Sequence, residues 1–291
     1  MLNDQQNENT VAEIALSELS PFPGHPFSVK DDAAMREMVE SVRQYGILVP
    51  AIARPREDGG YELISGHRRK RACEIAGIET MPVIVKNLDR DEAIVIMVDS
   101  NLQRENILPS ERAAAYKMKL EAIKRQAGRP KNNLRQVGTD LRGVRSDSII
   151  AENSDDSART VQRYIRLTEL QPELQQMVDE KKIAFTPAVE ISYLKPEEQR
   201  SLLNTIDSEQ ATPSLSQAQR MRKMSQSGEL NEDSILAIMS EQKKPESRDL
   251  TLPGEVIGKF FPKSYTPLKM QETIIKLLES WQKKRQQSHE R

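Results

Sequence analysis

The spacing of apolar residues changes character near residue 107. Before it, short alternating runs interleave with helical periods. Met35, Met38, Val39 and Val42 recur at helical spacing. Asp31 is placed to cap that helix and Gly46 to end it. Ile47 to Arg54 reads as a strand interrupted by Pro50, the pattern of an edge strand. Asp58-Gly59-Gly60 is a turn, and Tyr61 to Ser65 is the next strand. A basic helix follows and stops near Gly77. Pro82 to Lys86 reads as a further strand, and Arg90 to about Arg104 as a helix carrying Ala93, Ile94, Met97 and Val98. Residues 1–20 are polar and are expected to be partly loose.

After Asn106 the strand signals largely stop. Pro109-Ser110-Glu111 opens a helix that runs to about Gln126. Ala127 to Gly143, rich in Gly, Asn and Arg, reads as a linker. Several short helices are expected over 144–220, and a second polar linker over 223–250. Thr266-Pro267 opens the last helix, on which Met270, Ile274, Leu277, Leu278 and Trp281 form an apolar stripe. So short a stripe needs a partner, either the chain's own core or a second copy. The expected fold class is α+β. A small mixed α/β domain at 1–107 is followed by an all-α domain at 108–222, the linker at 223–250 and a C-terminal helical segment at 251–291. No internal repeat is visible.

Composition narrows the classes. The 291 residues are 30% charged and only 4% aromatic, with a formal net charge of −1, and mean hydropathy is −0.65. That describes a soluble, helix-rich chain, in which a polyanion site must come from local clustering. One cysteine, Cys73, excludes an internal disulfide and a cysteine-cluster zinc site. His25, His67 and His289 are too scattered in sequence to suggest a metal site. No apolar run reaches the length of a membrane span, and the first residues lack the basic and apolar regions of a secretion signal. A cytoplasmic location without membrane contact is expected.

Charge clusters in two places. Residues 66–72 read G-H-R-R-K-R-A, with four cations at the start of a helix, where free backbone N–H groups and the positive end of the dipole favour an anion. A solvated basic face is the plain alternative. From Arg112 to Arg145 ten Lys and Arg face two acids, Glu121 and Asp140, the stripe expected of a polyanion-binding face.

Residues 147–167 form a candidate helix-turn-helix. Ala151 is the small residue at the crossing, Val161 and Tyr164 pack the second helix on the first, and Ser157 caps it. Arg159, Thr160, Gln162, Arg163 and Arg166 are expected to point largely outward. Arg and Gln are the side chains whose geometry reads base edges in a major groove. Asp155 stands where such turns usually carry Gly, and Ser154 stands at an apolar position. An ordinary helical hairpin is the plain alternative.

Taken together these stretches resemble the ParB-type partition proteins. Gly66-His67-Arg68-Arg69-Lys70-Arg71-Ala72 is similar to their G-E-R-R-x-R-A box. Ser100-Asn101-Leu102-Gln103-Arg104 resembles their E-N-x-Q-R box and continues into Leu108-Pro109-Ser110-Glu111-Arg112-Ala113 as the family does. Gly46 to Ile52 resembles the family's G-x-L-x-P-I segment, and the helix-turn-helix follows at the expected distance. The resemblance covers about residues 15–195. It implies an N-terminal domain that binds CTP with Mg2+, a central domain that reads a palindromic parS-like site in double-stranded DNA, and a C-terminal dimerisation segment. It also implies a nucleoid-associated homodimer that closes on DNA as a clamp, and a ParA-type ATPase partner. It assigns nucleotide contact to Gly46, Gly66, His67, Arg68, Arg69, Arg71, Gln103 and Arg104, metal contact to Asn101, and DNA contact to Ser157, Arg159, Thr160, Gln162, Arg163 and Arg166.

Two positions depart from the family pattern. His67 replaces the usual Glu of the first box, and Ser100 replaces the Glu before Asn101, an acidic position tied to hydrolysis. Asp99 is adjacent but rotated by about 100° on a helix. Weak CTP hydrolysis is therefore left open. So is a DNA-binding transcriptional regulator whose nucleotide site has decayed. A sulfiredoxin-like enzyme of the same N-domain superfamily would need its reactive Cys where His67 stands, and a nuclease would need a metal cluster that the sequence lacks.

Overall fold

The computed structural model describes residues 11–104, 107–127, 150, 154, 156–241, 259–262 and 264–289. The residues up to Glu241 cluster as one compact unit, and the C-terminal residues form a second.

The N-terminal part is built on a five-stranded mixed sheet of order β1-β5-β3-β4-β2, with β1 at Val11–Ala15, β2 at Leu19–Pro21, β3 at Ala51–Pro55, β4 at Tyr61–Ser65 and β5 at Thr80–Val85. β1 runs antiparallel to β5, β5 parallel to β3, β3 antiparallel to β4, and β4 parallel to β2. Strand alternation places successive side chains of β4 in different cores. Leu63 joins Met35, Val39, Val42, Ala72 and Cys73 beneath α1 (Ala33–Tyr45) and α2 (His67–Ala76). Ile64 joins Phe22, Phe27, Ala93, Met97 and Tyr116 beneath α3 (Arg90–Leu102) and α4 (Pro109–Ala127). Arg54 and Glu62, directly opposite across β3 and β4, form an ion pair at 2.5 Å.

The mixed α/β class expected from sequence is present, with three local corrections. The stretch 1–20, expected to be partly loose, supplies β1 at 11–15 and most of β2 at 19–21, the two edge strands; in β1 only Ile14 is buried, so there was little alternation to see. β3, expected at an edge, lies between β4 and β5. Pro50 precedes the ladder, so its missing N–H removes no inter-strand bond. Asp32 rather than Asp31 caps α1, accepting from Met35 N–H at 2.9 Å.

The helical part comprises α5 (Ala158–Arg166), α6 (Pro172–Asp179), α7 (Phe185–Ile191), α8 (Pro196–Glu209), α9 (Leu215–Ser227) and α10 (Glu232–Met239) around a core of Leu174, Ile191, Leu202, Met221, Ile235 and Ile238. Residues 223–239, expected as linker, hold the end of α9 and the whole of α10, and contribute Leu230, Ile235, Ile238 and Met239 to this core. Asn231 caps α10, whose Ile235, Ile238 and Met239 are buried in this core, although the apolar run 235–239 is short and stands between polar stretches. The linker expected at 127–143 and the crossing residue Ala151 lie outside the described residues beyond Ala127. In the C-terminal unit α11 spans Pro267–His289. The Thr266 hydroxyl accepts from Lys269 N–H at 3.4 Å, and Leu268, Leu277, Leu278 and Trp281 are exposed.

Candidate functional site

β4 ends and α2 begins at Gly66, which has φ +114°. A β-carbon on Gly66 would lie 2.8 Å from the Ala51 Cβ, so the turn requires glycine on both conformational and steric grounds. No side chain caps α2, and its first turn carries no acid. The N–H groups of the first turn are thus free to meet an anion.

Around this helix end the chain gathers cations and two imidazoles. Arg69 donates to the carbonyls of Val49 and Pro50, at 2.7 Å for Pro50, and so ties the loop after Gly46 to α2. Partial burial lowers its proton affinity. Arg68 reaches Asp32 at 3.5 Å. Arg104 has exposed surface, yet partial burial, then Arg68 and, more weakly, Arg69 lower its proton affinity, while Glu111 opposes them. Its guanidinium has no hydrogen bond or ion pair among the described residues. His67 is half-buried, and its ring centroid lies 3.9 Å from that of His25. Burial above all, then His25, Arg104 and Lys70, push the His67 imidazole down to about 3.

His25 is the site residue that sequence reasoning missed. Forty-two positions separate it from His67, and no local pattern joins them. The loop that carries it is pinned by buried Phe22 and Phe27, by the His25 N–H to Phe22 carbonyl bond at 3.1 Å, and by Ser28, whose N–H and hydroxyl both donate to Glu111 Oε1.

The remaining candidates divide. Gly46 closes α1 at φ +69° and starts the loop that Arg69 holds, with open space where a Cβ would stand. Gln103 is exposed at the end of α3. Arg71 does not join the cluster. It binds Asp31 at 2.7 Å and Glu74 at 3.3 Å, because it sits one turn further along α2, beside two carboxylates. Asn101 is buried, with its Nδ2 donating to the Met97 carbonyl at 2.7 Å. That spends the amide nitrogen and leaves the amide oxygen as the atom suited to magnesium. One protein oxygen is compatible with an ion that retains waters and shares phosphate oxygens. The Ser100 hydroxyl donates to the Met97 carbonyl at 3.0 Å. Asp99 is held by Lys119, which is 1% exposed, so its carboxylate faces α4. Among the described residues no three His, Cys, Asp or Glu are grouped to hold a metal.

The second candidate surface is α5. Ser157 caps it, accepting from Thr160 N–H at 3.2 Å. Asp156, just before the cap, accepts from Tyr116 at 2.7 Å and Arg112 at 3.1 Å, which fixes the helix start on α4. Val161 is buried in one cluster with Ile150, as the helix-turn-helix reading expects, and Tyr164 packs on it. Arg159 and Gln162 are exposed, and Thr160 is half-exposed. Arg163 and Arg166, expected to point largely outward, turn onto the neighbouring elements. Arg163 donates to Thr186 at 3.0 Å and lies 4.9 Å from the Phe185 ring centre. Arg166 donates to the Ser192 carbonyl at 2.7 Å and lies over Tyr193, which also carries Arg222 at 3.7 Å. Aromatic faces and a free carbonyl offered by α7 and the turn after it draw both guanidinium groups in.

Residues 2–102 match the ParB N-terminal domain family. Stage 0 sporulation protein J of Bacillus subtilis (strain 168) is 44% identical over 110 residues, 38% of this chain and 39% of that protein. The chromosome-partitioning protein Spo0J of Thermus thermophilus is 30% identical over 188 residues, 65% of this chain and 62% of that protein. The nucleoid occlusion protein of Bacillus anthracis (strain A0248) is 30% identical over 195 residues, 67% of this chain and 60% of that protein. The chain thus spans less than two thirds of the length of these relatives. Among solved structures, the C-terminally truncated chromosome-partitioning protein ParB of Caulobacter crescentus complexed to the centromeric parS site is similar at TM-score 0.46 and 22% identity, covering 73% of this chain and 98% of that one.

Proposed function

We propose that this chain, whose residues 2–102 belong to the ParB N-terminal domain family, is a ParB-type partition protein. In this reading it recognises a parS-like site in double-stranded DNA and binds CTP at the start of α2. The relative from Thermus thermophilus is named for chromosome partitioning. The observation that carries the reading is the uncapped N-terminus of α2, with Gly66, Arg68, Arg69 and Arg104 gathered around it. A triphosphate would take the free N–H groups of the first turn and charge-assisted bonds from the guanidinium groups. Asn101 would hold Mg2+ through its amide oxygen, and the ion would neutralise phosphate charge. Arg159, Thr160 and Gln162 would read the DNA, with Ser157 fixing the helix start and Arg163 and Arg166 setting the helix on α7. The exposed stripe of α11 would pair two copies. A ParA-type ATPase would be the motor partner, and the site of action would be the nucleoid in the cytoplasm.

One observation bears on turnover. Ser100 supplies no carboxylate and Asp99 is engaged by Lys119. That favours a switch which binds CTP and releases it with slow or no hydrolysis, or a regulator that has lost the nucleotide step. The test is calorimetry of the full chain with CTP, with and without DNA selected for tight binding. Micromolar CTP binding that changes when specific DNA is present is expected. Tight specific DNA binding with no CTP binding in either condition would favour the regulator.

A further inference from the structure

The apolar surface of α11 is wider than one helix pairing uses. A helix that meets a single partner does so along a narrow seam, whose contacts alternate at steps of three and four residues. On α11 that seam is Met270, Ile274, Leu277 and Trp281. A second seam with the same alternation runs through Leu268, Gln271, Ile275 and Leu278. From Gln271 on it is the first seam advanced by one residue, and one residue turns about 100° around a helix. The two faces are therefore near perpendicular.

Both faces keep exposed apolar side chains. Leu277 and Trp281 are exposed on the first, where Met270 and Ile274 are half-buried. On the second, Leu268 is 69%, Ile275 47% and Leu278 59% exposed. The rest of the helix surface up to Trp281 is polar, and its charges are Lys269, Glu272, Lys276 and Glu279. Two cations against two acids leave this polar arc without net charge, whereas a helix lying on an anionic lipid surface carries an excess of cations. What fits both faces is an apolar helix face of the same spacing, and a further copy of α11 supplies it.

A pair made along the first seam leaves the second seam of both copies in water. On the reading that the stripe of α11 pairs two copies, we infer that α11 is the assembly helix of a four-copy bundle, in which the second seam joins two such pairs. Two self-matching faces at near right angles close at four copies, the dimer of dimers that is common among symmetric oligomers.

Analytical ultracentrifugation of the full chain tests this, without nucleotide or DNA and over a range of micromolar concentrations. The wild type should sediment at four times the 33.1 kDa chain mass. The combined Leu268→Ala, Ile275→Ala and Leu278→Ala variant, in which alanine keeps the helix, should sediment at twice the chain mass. Adding Ile274→Ala, Leu277→Ala and Trp281→Ala to that variant should leave single chains. A wild type that stops at two copies overturns the four-copy inference and keeps the pairing, whether the chain itself or a lipid surface then covers the second seam. A wild type of single chains overturns the pairing as well. Four copies that persist in the first variant overturn the role of the second seam.

Discussion

Gly66 passes so close to Ala51 that a β-carbon on the glycine would stand 2.8 Å from the Ala51 Cβ. The contact joins the end of β4 to the start of β3 at the point where α2 begins. Gly66→Ala should destabilise the chain by about 2–4 kcal/mol, since φ of +114° is strained for alanine and β3 must shift. Denaturant unfolding measures it. Wild-type stability in this variant would mean that the turn relaxes freely and does not fix the helix start.

Arg104 is the cleanest probe of the anion site. Its guanidinium has no hydrogen bond or ion pair among the described residues, so Arg104→Ala should leave the melting temperature unchanged. It should weaken CTP by about 10–100-fold, the worth of a lost bond to a charged group. Arg69→Ala should lower both, because Arg69 also holds the Val49 and Pro50 carbonyls. Calorimetry beside a thermal melt separates the two behaviours.

Lys119 is 1% exposed and its ammonium is paired with Asp99. Lys119→Ala leaves a partly buried carboxylate unpaired and opens a hole in α4, at a cost of about 3 kcal/mol or more. Asp99→Asn combined with Lys119→Met should cost less than the single Lys119 change. Asp99→Asn alone should reduce stability without reducing phosphate release, because its carboxylate faces α4. Ser100→Glu is then the change expected to raise phosphate release, and a malachite-green assay with specific DNA present reads both.

On α5, Arg159→Ala and Gln162→Ala should reduce specific DNA affinity by about 1–3 kcal/mol relative to non-specific affinity, and Arg159→Ala should do so without changing the melting temperature. Arg163→Ala should lower the melting temperature as well, through loss of the Thr186 and Phe185 contacts. Binding titrations on selected and scrambled duplexes report the difference. An equal loss on both duplexes would make Arg159 and Gln162 phosphate contacts.

Stability should fall in mild acid. The His67 pKa is pushed down to about 3 in the fold, against about 6.5 in an unfolded chain. Between those values the unfolded chain binds more protons, so stability is full above about pH 6.5 and is lost as pH falls. From pH 7 to pH 5.5 the loss should be about 1 kcal/mol, with His25 adding in the same direction. Urea unfolding of the wild type and His67→Gln at both pH values checks the sign. An unchanged slope in the variant would assign the acid sensitivity to other groups.

The elements that were legible in the sequence are those set by near neighbours along the chain. Helical spacing of Met35, Val39 and Val42, the Ser157 and Thr266 caps, and glycine at 66 are local signals, and each appears where expected. The basic box was legible in the same way as a run of cations at a helix start, and α2 does begin there, at His67, with no side-chain cap.

What the tertiary structure decided depends on partners far away in sequence. β1 pairs with β5 across some seventy residues, and its own sequence carries one buried position. The helix α10 is a short apolar run between polar stretches, and only the packing of Ile235 and Ile238 makes it part of the core. Arg71, Arg163 and Arg166 are cations like their neighbours, and only the carboxylates and rings packed beside them turn them away from a ligand. The His25–His67 stack has the same origin. A side chain's direction is set by whichever long-range partner satisfies it, and periodicity carries no record of that partner.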